Sequence, residues 1–142
     1  MSFAIEEREH DSVLIFALRG RLVAGAPVEL FRERLLTFLA DYQRTGRDAV
    51  ILDCSSTDYI DSSGLGLLVV AHSRATAAGF RMPIFGLNRR GLELLVITKL
   101  STVFELYNDE IDAVNSCFPG REVRHFDILD FVRLKKNEAE PT

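Results

Sequence analysis

The chain has 142 residues, 47% of them apolar and 27% charged, with a net charge of −4 at neutral pH. That is one domain's length with apolar material enough for its own core, and the acidic balance, lacking a basic stripe interleaved with aromatics, argues against nucleic acid as a partner. The N-terminal MSFAIEEREHD has no basic region followed by an apolar run, and no apolar stretch approaches the length of a membrane span, so a soluble cytoplasmic protein is expected. The two cysteines, Cys54 and Cys117, lie in apolar surroundings outside any close Cys/His cluster, which points to reduced thiols rather than a disulfide framework or a zinc site.

Val13 to Leu18 is a short apolar run of β-forming residues ending at Gly20, the pattern of a buried strand. Phe3 to Glu7 is its hairpin partner, with a turn at His10-Asp11-Ser12. Gly25-Ala26-Pro27 opens a helix in which Val28, Phe31, Leu35, Phe38 or Leu39, and Tyr42 recur at helical spacing, closed by Thr45-Gly46. Ala49 to Asp53 is apolar on both faces, as a central strand of a covered sheet would be. A loop is expected from Ser55 to Ile60. A second helix runs from Ser62 to about Ala78, where Gly79 stops it. Met82 to Gly86 reads as a strand, Asn88 as the N-cap of a helix carrying Leu92, Leu95, Val96 and Leu100, and Val103 to Tyr107 as the last strand. Asp109 caps a final helix, Ile111 to Cys117. After Pro119-Gly120 a further short helix is expected around Phe126, Leu129, Phe131 and Leu134, with Lys135 to Thr142 a loose tail.

Strand and helix thus alternate from residue 13 to 118, which implies an α/β domain with a largely parallel sheet and about four helices, plus a C-terminal extension over 119–142. On such folds, ligands and partners use strand ends and the starts of the following helices. Asp61-Ser62-Ser63-Gly64 lies at such a junction. A serine there is first of all a cap, contributing about 1 kcal/mol. Three features point further. Two hydroxyls follow an acid where one suffices for capping; Gly64 and Gly66 are poor helix residues, costing roughly 1 kcal/mol each, and imply a close approach to the backbone; and the N-terminal end of a helix favours an added phosphate.

Other chemistry is weaker. Gly-x-Ser-x-Gly is absent, and His10, His72 and His125 have no evident base role, so a serine hydrolase is a minor reading. His72 follows Leu68 and Val69 and reads as a satisfied, partly buried histidine; Cys54 reads as a small core residue. Arg89-Arg90, at a helix start, could meet an acidic partner, but a solvated pair is the preferred reading. Asp53, Asp58 and Asp61 lack the spacing of a calcium loop and read as polar rim and loop capping, so no metal and no cofactor are expected.

The run Tyr59-Ile60-Asp61-Ser62-Ser63-Gly64-Leu65-Gly66 resembles the signature of STAS domains of the anti-sigma factor antagonist family. Leu18-Arg19-Gly20-Arg21-Leu22 is similar to that family's second strand and its Gly-x-Leu exit, Val50-Ile51-Leu52-Asp53 to the strand before the motif, and Leu94 to Phe104 to a helix ending before a short strand. The resemblance covers roughly residues 12–118 and makes 1–118 the domain. It implies that Ser62 is the phosphoacceptor, with Asp61, Ser63, Gly64, Leu65, Gly66, Arg21 and Val23 on the partner-binding surface. The unphosphorylated protein would bind an anti-sigma factor that is also a serine kinase, freeing a sigma factor. Phosphorylation would end that binding and a metal-dependent serine phosphatase restore it. The chain would be a substrate rather than an enzyme, and a homodimer is allowed. Val23 departs from the pattern, since the family often carries Asp there. A second reading stays open: a regulatory or scaffold module of a stress-sensing, transport or signalling assembly, docking through the same helix face without obligatory phosphorylation.

Overall fold

The computed structural model describes residues 3–41 and 49–139. Strands β1 (Ala4–His10) and β2 (Val13–Leu22) form an antiparallel hairpin. Its two-residue turn holds Asp11 and Ser12 at φ 52° and 68°, the left-handed pair that matches the strands' twist. The turn therefore starts one residue later than expected, and β1 runs on to His10. Nor does β2 stop at Gly20. That glycine sits at φ 104° where the pairing register shifts, and the bulge lets the strand continue to Leu22.

Helix α1 (Ala26–Ala40) carries Pro27 in its first turn and buries Val28, Phe31 and Leu35. The expected continuation to Tyr42 and the stop at Thr45-Gly46 lie outside the described residues. Strand β3 (Val50–Asp53) is buried at all four positions. The stretch expected to be a loop contains strand β4 (Thr57–Ile60), paired in parallel with the far end of β2. It was hidden because only four residues are extended and Asp58 and Tyr59 are exposed, which leaves no apolar alternation to read.

Helix α2 (Ser62–Ala77) follows, then β5 (Ile84–Phe85), α3 (Arg89–Ile97), β6 (Leu106–Tyr107), α4 (Glu110–Asn115) and α5 (Ile128–Ala139). Two strands are shorter than their apolar runs. Pro83 cannot donate to a ladder, although Arg81 and Pro83 still accept from Val50 and Leu52 at 3.0 and 2.9 Å. Val103 turns back on Leu100, so the segment before β6 is the turn after α3 and not strand. There are five helices among the described residues, four in the domain and the further one, α5, in the extension. The region from Lys135 is no loose tail as far as Ala139: Lys135 pairs with Glu93 at 3.5 Å and the helix runs on. Upstream of α5, the Phe126 N–H donates to the Leu106 carbonyl at 3.3 Å, laying the segment along β6.

The sheet order is β1-β2-β3-β5-β6, parallel except for β1. Alternation along β2 splits the core. Phe16, Leu18 and Leu22, with Leu52 and Ile84, pack with α1, α2 and α3. Val13 and Ile15, with Ile51, Phe85 and Tyr107, pack under α4. Phe16 and Phe31 are fully buried, each contributing roughly 2–3 kcal/mol.

On the α4 side, Arg8 donates to Asp53 at 2.9 Å and to Glu110, and the His10 ring meets Glu110 at 2.6 Å. Asp53, read as polar rim and loop capping, does cap the turn after β3 by accepting the Ser55 N–H at 2.9 Å, but it is buried and is joined through Arg8 to β1 and α4. Cys54 behaves as the core residue expected. Burial pushes its thiol up to about 12, while a hydrogen bond with Thr57 works the other way.

Candidate functional site

Asp61 stands between the end of β4 and the start of α2, and it rather than Ser62 is the N-cap. One carboxylate oxygen accepts the Gly64 N–H at 2.8 Å; the other accepts the Ala24 N–H at 3.0 Å, from the loop between β2 and α1. Its own N–H donates to the Leu22 carbonyl at 3.3 Å. One short acid therefore pins three elements together. The N–H groups of Gly64 and Ala24 hold its carboxyl below the ordinary Asp range.

Replacing Asp61 with Ala is expected to cost about 1 kcal/mol, the usual value of an N-cap. The sign of its pH dependence follows from the lowered pKa. The contribution is complete above the ordinary Asp value and is lost as pH falls through the lower value in the folded state. The difference in urea midpoint between wild type and Asp61→Ala should thus be largest near neutrality and shrink in acid. A difference independent of pH would show that the carboxylate charge is not what caps α2.

The two glycines of the motif have different causes. A Cβ at Gly64 would meet the Leu22 carbonyl oxygen at 2.2 Å and the Ile60 side chain at 3.1 Å, so α2 can sit on the end of β2 only without a side chain there. The close approach anticipated from sequence is internal. A Cβ at Gly66 would meet nothing within 4 Å.

Capping by Asp61 leaves Ser62 as the first helical residue, exposed, beside exposed Ser63. One turn on, exposed Gly66 leaves the helix bare, and Val70, 40% exposed, continues that face. Gly64 and Leu65 are buried, so they shape the site from beneath rather than face outward. Arg21 is exposed and lies 5.1 Å over the ring of Tyr59, its register partner on β4. Val23 is half-buried, next to exposed Ala24, Gly25 and Ala26.

Sequence reasoning missed the roles of Ala24 and Tyr59. A signal for the cap was present, however: Asp61 and Asn88 each stand three residues before a glycine, and Asn88 caps α3 by accepting the Gly91 N–H at 2.8 Å. Each histidine is engaged elsewhere: His10 with Glu110, His72 edge-on to Phe104, His125 against Tyr107. His72 lies ten residues up α2 from Ser62, roughly 15 Å along the axis, too far to act as its base. Among the described residues no three His, Cys, Asp or Glu side chains gather as metal ligands, and no helix is long and apolar enough to cross a membrane.

Residues 4–113 match the family model of the STAS domain. The chain belongs to the STAS-domain family. This STAS domain is 31% identical over 110 residues to the anti-sigma-B factor antagonist of Listeria monocytogenes, covering 78% of this chain and 91% of that one. In fold it is similar to an anti-sigma factor antagonist from Mycobacterium paratuberculosis, with TM-score 0.69 at 18% identity, over 82% of this chain and 94% of that one. It is also similar to the Bacillus cell fate determinant SpoIIAA in its phosphorylated form, with TM-score 0.60 at 19% identity, over 81% and 98% of the two chains.

Proposed function

We propose that this STAS domain is an anti-sigma factor antagonist switched by phosphorylation of Ser62. The observation that carries the reading is the division of labour at the α2 start: Asp61 does the capping, and the adjacent Ser62 is left exposed. The Listeria relative bears the name anti-sigma-B factor antagonist, and SpoIIAA, of the same fold, exists phosphorylated.

In this reading residues 1–118 are the working domain and 119–142 an extension. The unphosphorylated protein, in the cytoplasm, presents Ser62, Ser63 and Gly66 together with Arg21 and the Val23–Ala26 loop to an anti-sigma factor that is also a serine kinase. The sigma factor is thereby released. The kinase transfers the γ-phosphoryl group of ATP to Oγ of Ser62, whose proton leaves to solvent or to a kinase base. The product carries roughly −2 of charge beside the Asp61 carboxylate. The α2 dipole tolerates that charge, so the fold survives, but a partner surface docked on Ser62 does not. A metal-dependent serine phosphatase hydrolyses the ester and restores docking. The chain is the substrate of both enzymes and turns nothing over itself.

One feature favours a second reading, a regulatory module that docks without phosphorylation. Val23 puts an apolar side chain in the loop tied to Asp61, where the family often has an acid.

Incubation with ATP and the anti-sigma factor kinase of the same organism should add one phosphate by intact mass, and peptide mapping should put it on Ser62. A phosphate elsewhere, or none, rejects the switch.

A further inference from the structure

A groove of about 290 Å³ runs between β4 and the first turns of α3, its wall ending two residues before Ser62. Tyr59 and Ile60 form one side, and Leu87, Gly91 and Leu94 the other. Backbone polarity beneath it is satisfied, because the Asn88 side-chain amide donates to the Thr57 and Asp58 carbonyls, each at 3.3 Å. The surface left for a ligand is therefore mainly apolar and aromatic.

Arg90 also lines the groove. Its neighbour Arg89 is held by Glu93 at 3.0 Å, whereas Arg90 has no ion-pair or hydrogen-bond partner among the described residues. A second cation, Arg21, stacks on the Tyr59 ring. The Asp61 carboxylate is held by the Gly64 and Ala24 N–H groups and does not line the groove. Pockets that take drug-sized ligands span roughly 300–1,000 Å³, so this one lies at the small end of that range. An apolar anchor seated in a small pocket with a charge at its rim is the usual form of an interface hot spot.

We propose that the β4–α3 groove seats one apolar side chain of a protein partner, with a flanking carboxylate of that partner taken by Arg90. Lying beside Ser62, the groove belongs to the same docking face, and only in that clause does it rest on the function proposed above. Its test involves neither kinase nor phosphate transfer, so the two can fail separately.

The probe is the blocked dipeptide acetyl-Leu-Glu-amide, titrated into the ¹⁵N-labelled full chain and followed through amide shifts. Saturable shifts are expected at Tyr59, Ile60 and residues 91–94. Acetyl-Leu-Gln-amide should bind about three- to fivefold more weakly, the worth of an exposed ion pair, and Arg90→Glu should remove that preference. Absence of saturable shifts overturns the proposal, as does equal binding of the two dipeptides or an unchanged preference in Arg90→Glu. Tighter binding of ATP or inorganic phosphate at the same amides also overturns it, by showing a small-anion site.

Discussion

Gly64→Ala should lower the melting temperature by roughly 5–10 °C, while Gly66→Ala should leave it equal or raise it. The first figure combines the 1–3 kcal/mol typical of overpacking with the few degrees per kcal/mol of a domain this size. The added methyl group at 64 cannot be absorbed by a rotamer change, because the atom it strikes at 2.2 Å is the backbone oxygen of Leu22. Either α2 lifts from the end of β2 or the strand bends. Both movements strain the bond from Asp61 to the Leu22 carbonyl and the bridge to Ala24. At position 66 the same methyl group meets open space and removes a helical glycine, worth up to about 1 kcal/mol in the opposite direction. Thermal unfolding of the two variants side by side is the check. Equal melting temperatures would mean that the seat of α2 on β2 is not as close as described.

What could be read from sequence divides along lines of range. Elements held by local periodicity or local capping were legible, including the core face of α1, the central strand β3, and the caps Asn88 and Asp109, each of which accepts an N–H three residues on. Features that depend on distant partners were not. Thr57 reaches back 39 positions to the Leu18 carbonyl to help make β4 a strand. Arg8 links residues 45 and 102 positions away, and so adds a buried ion pair to an Asp53 that sequence showed only as rim and loop cap. The site shows the same division. That Asp61-Ser62 begins a helix was plain; that Asp61 caps it and also holds Ala24, 37 positions earlier, could come only from the fold. That difference changes the meaning of Ser62, whose presence no longer needs to be explained by capping. Leu65 moved the other way, from surface to core.

Under the switch reading, Ser62→Glu should weaken binding to the anti-sigma factor kinase by about 100-fold while Ser62→Ala keeps it within a few fold. Like charges brought together at an interface cost several kcal/mol, and about 2.8 kcal/mol is 100-fold. Glu brings one negative charge where phosphoserine brings nearly two, so the loss in Ser62→Glu is a lower limit for the modified protein. Stability separates this effect from simple misfolding. An acid in the first turn of α2 interacts favourably with the helix dipole by about 0.3–1 kcal/mol, and Ser62 is exposed and makes no cap, so both variants should melt within a few degrees of wild type. Asp61 supplies the opposing consideration, since a second acid next to its carboxylate offsets part of that gain. Ser63→Glu is the positional control. It adds the same charge one residue on, about 100° around the helix, and should cost less binding than Ser62→Glu if the partner centres on Ser62. The affinities can be read by calorimetry against the purified kinase without ATP. Equal losses in Ser62→Glu and Ser63→Glu would show a general dislike of acid at the α2 terminus rather than a switch at one hydroxyl. Loss of binding in Ser62→Ala would instead make that hydroxyl a contact in its own right.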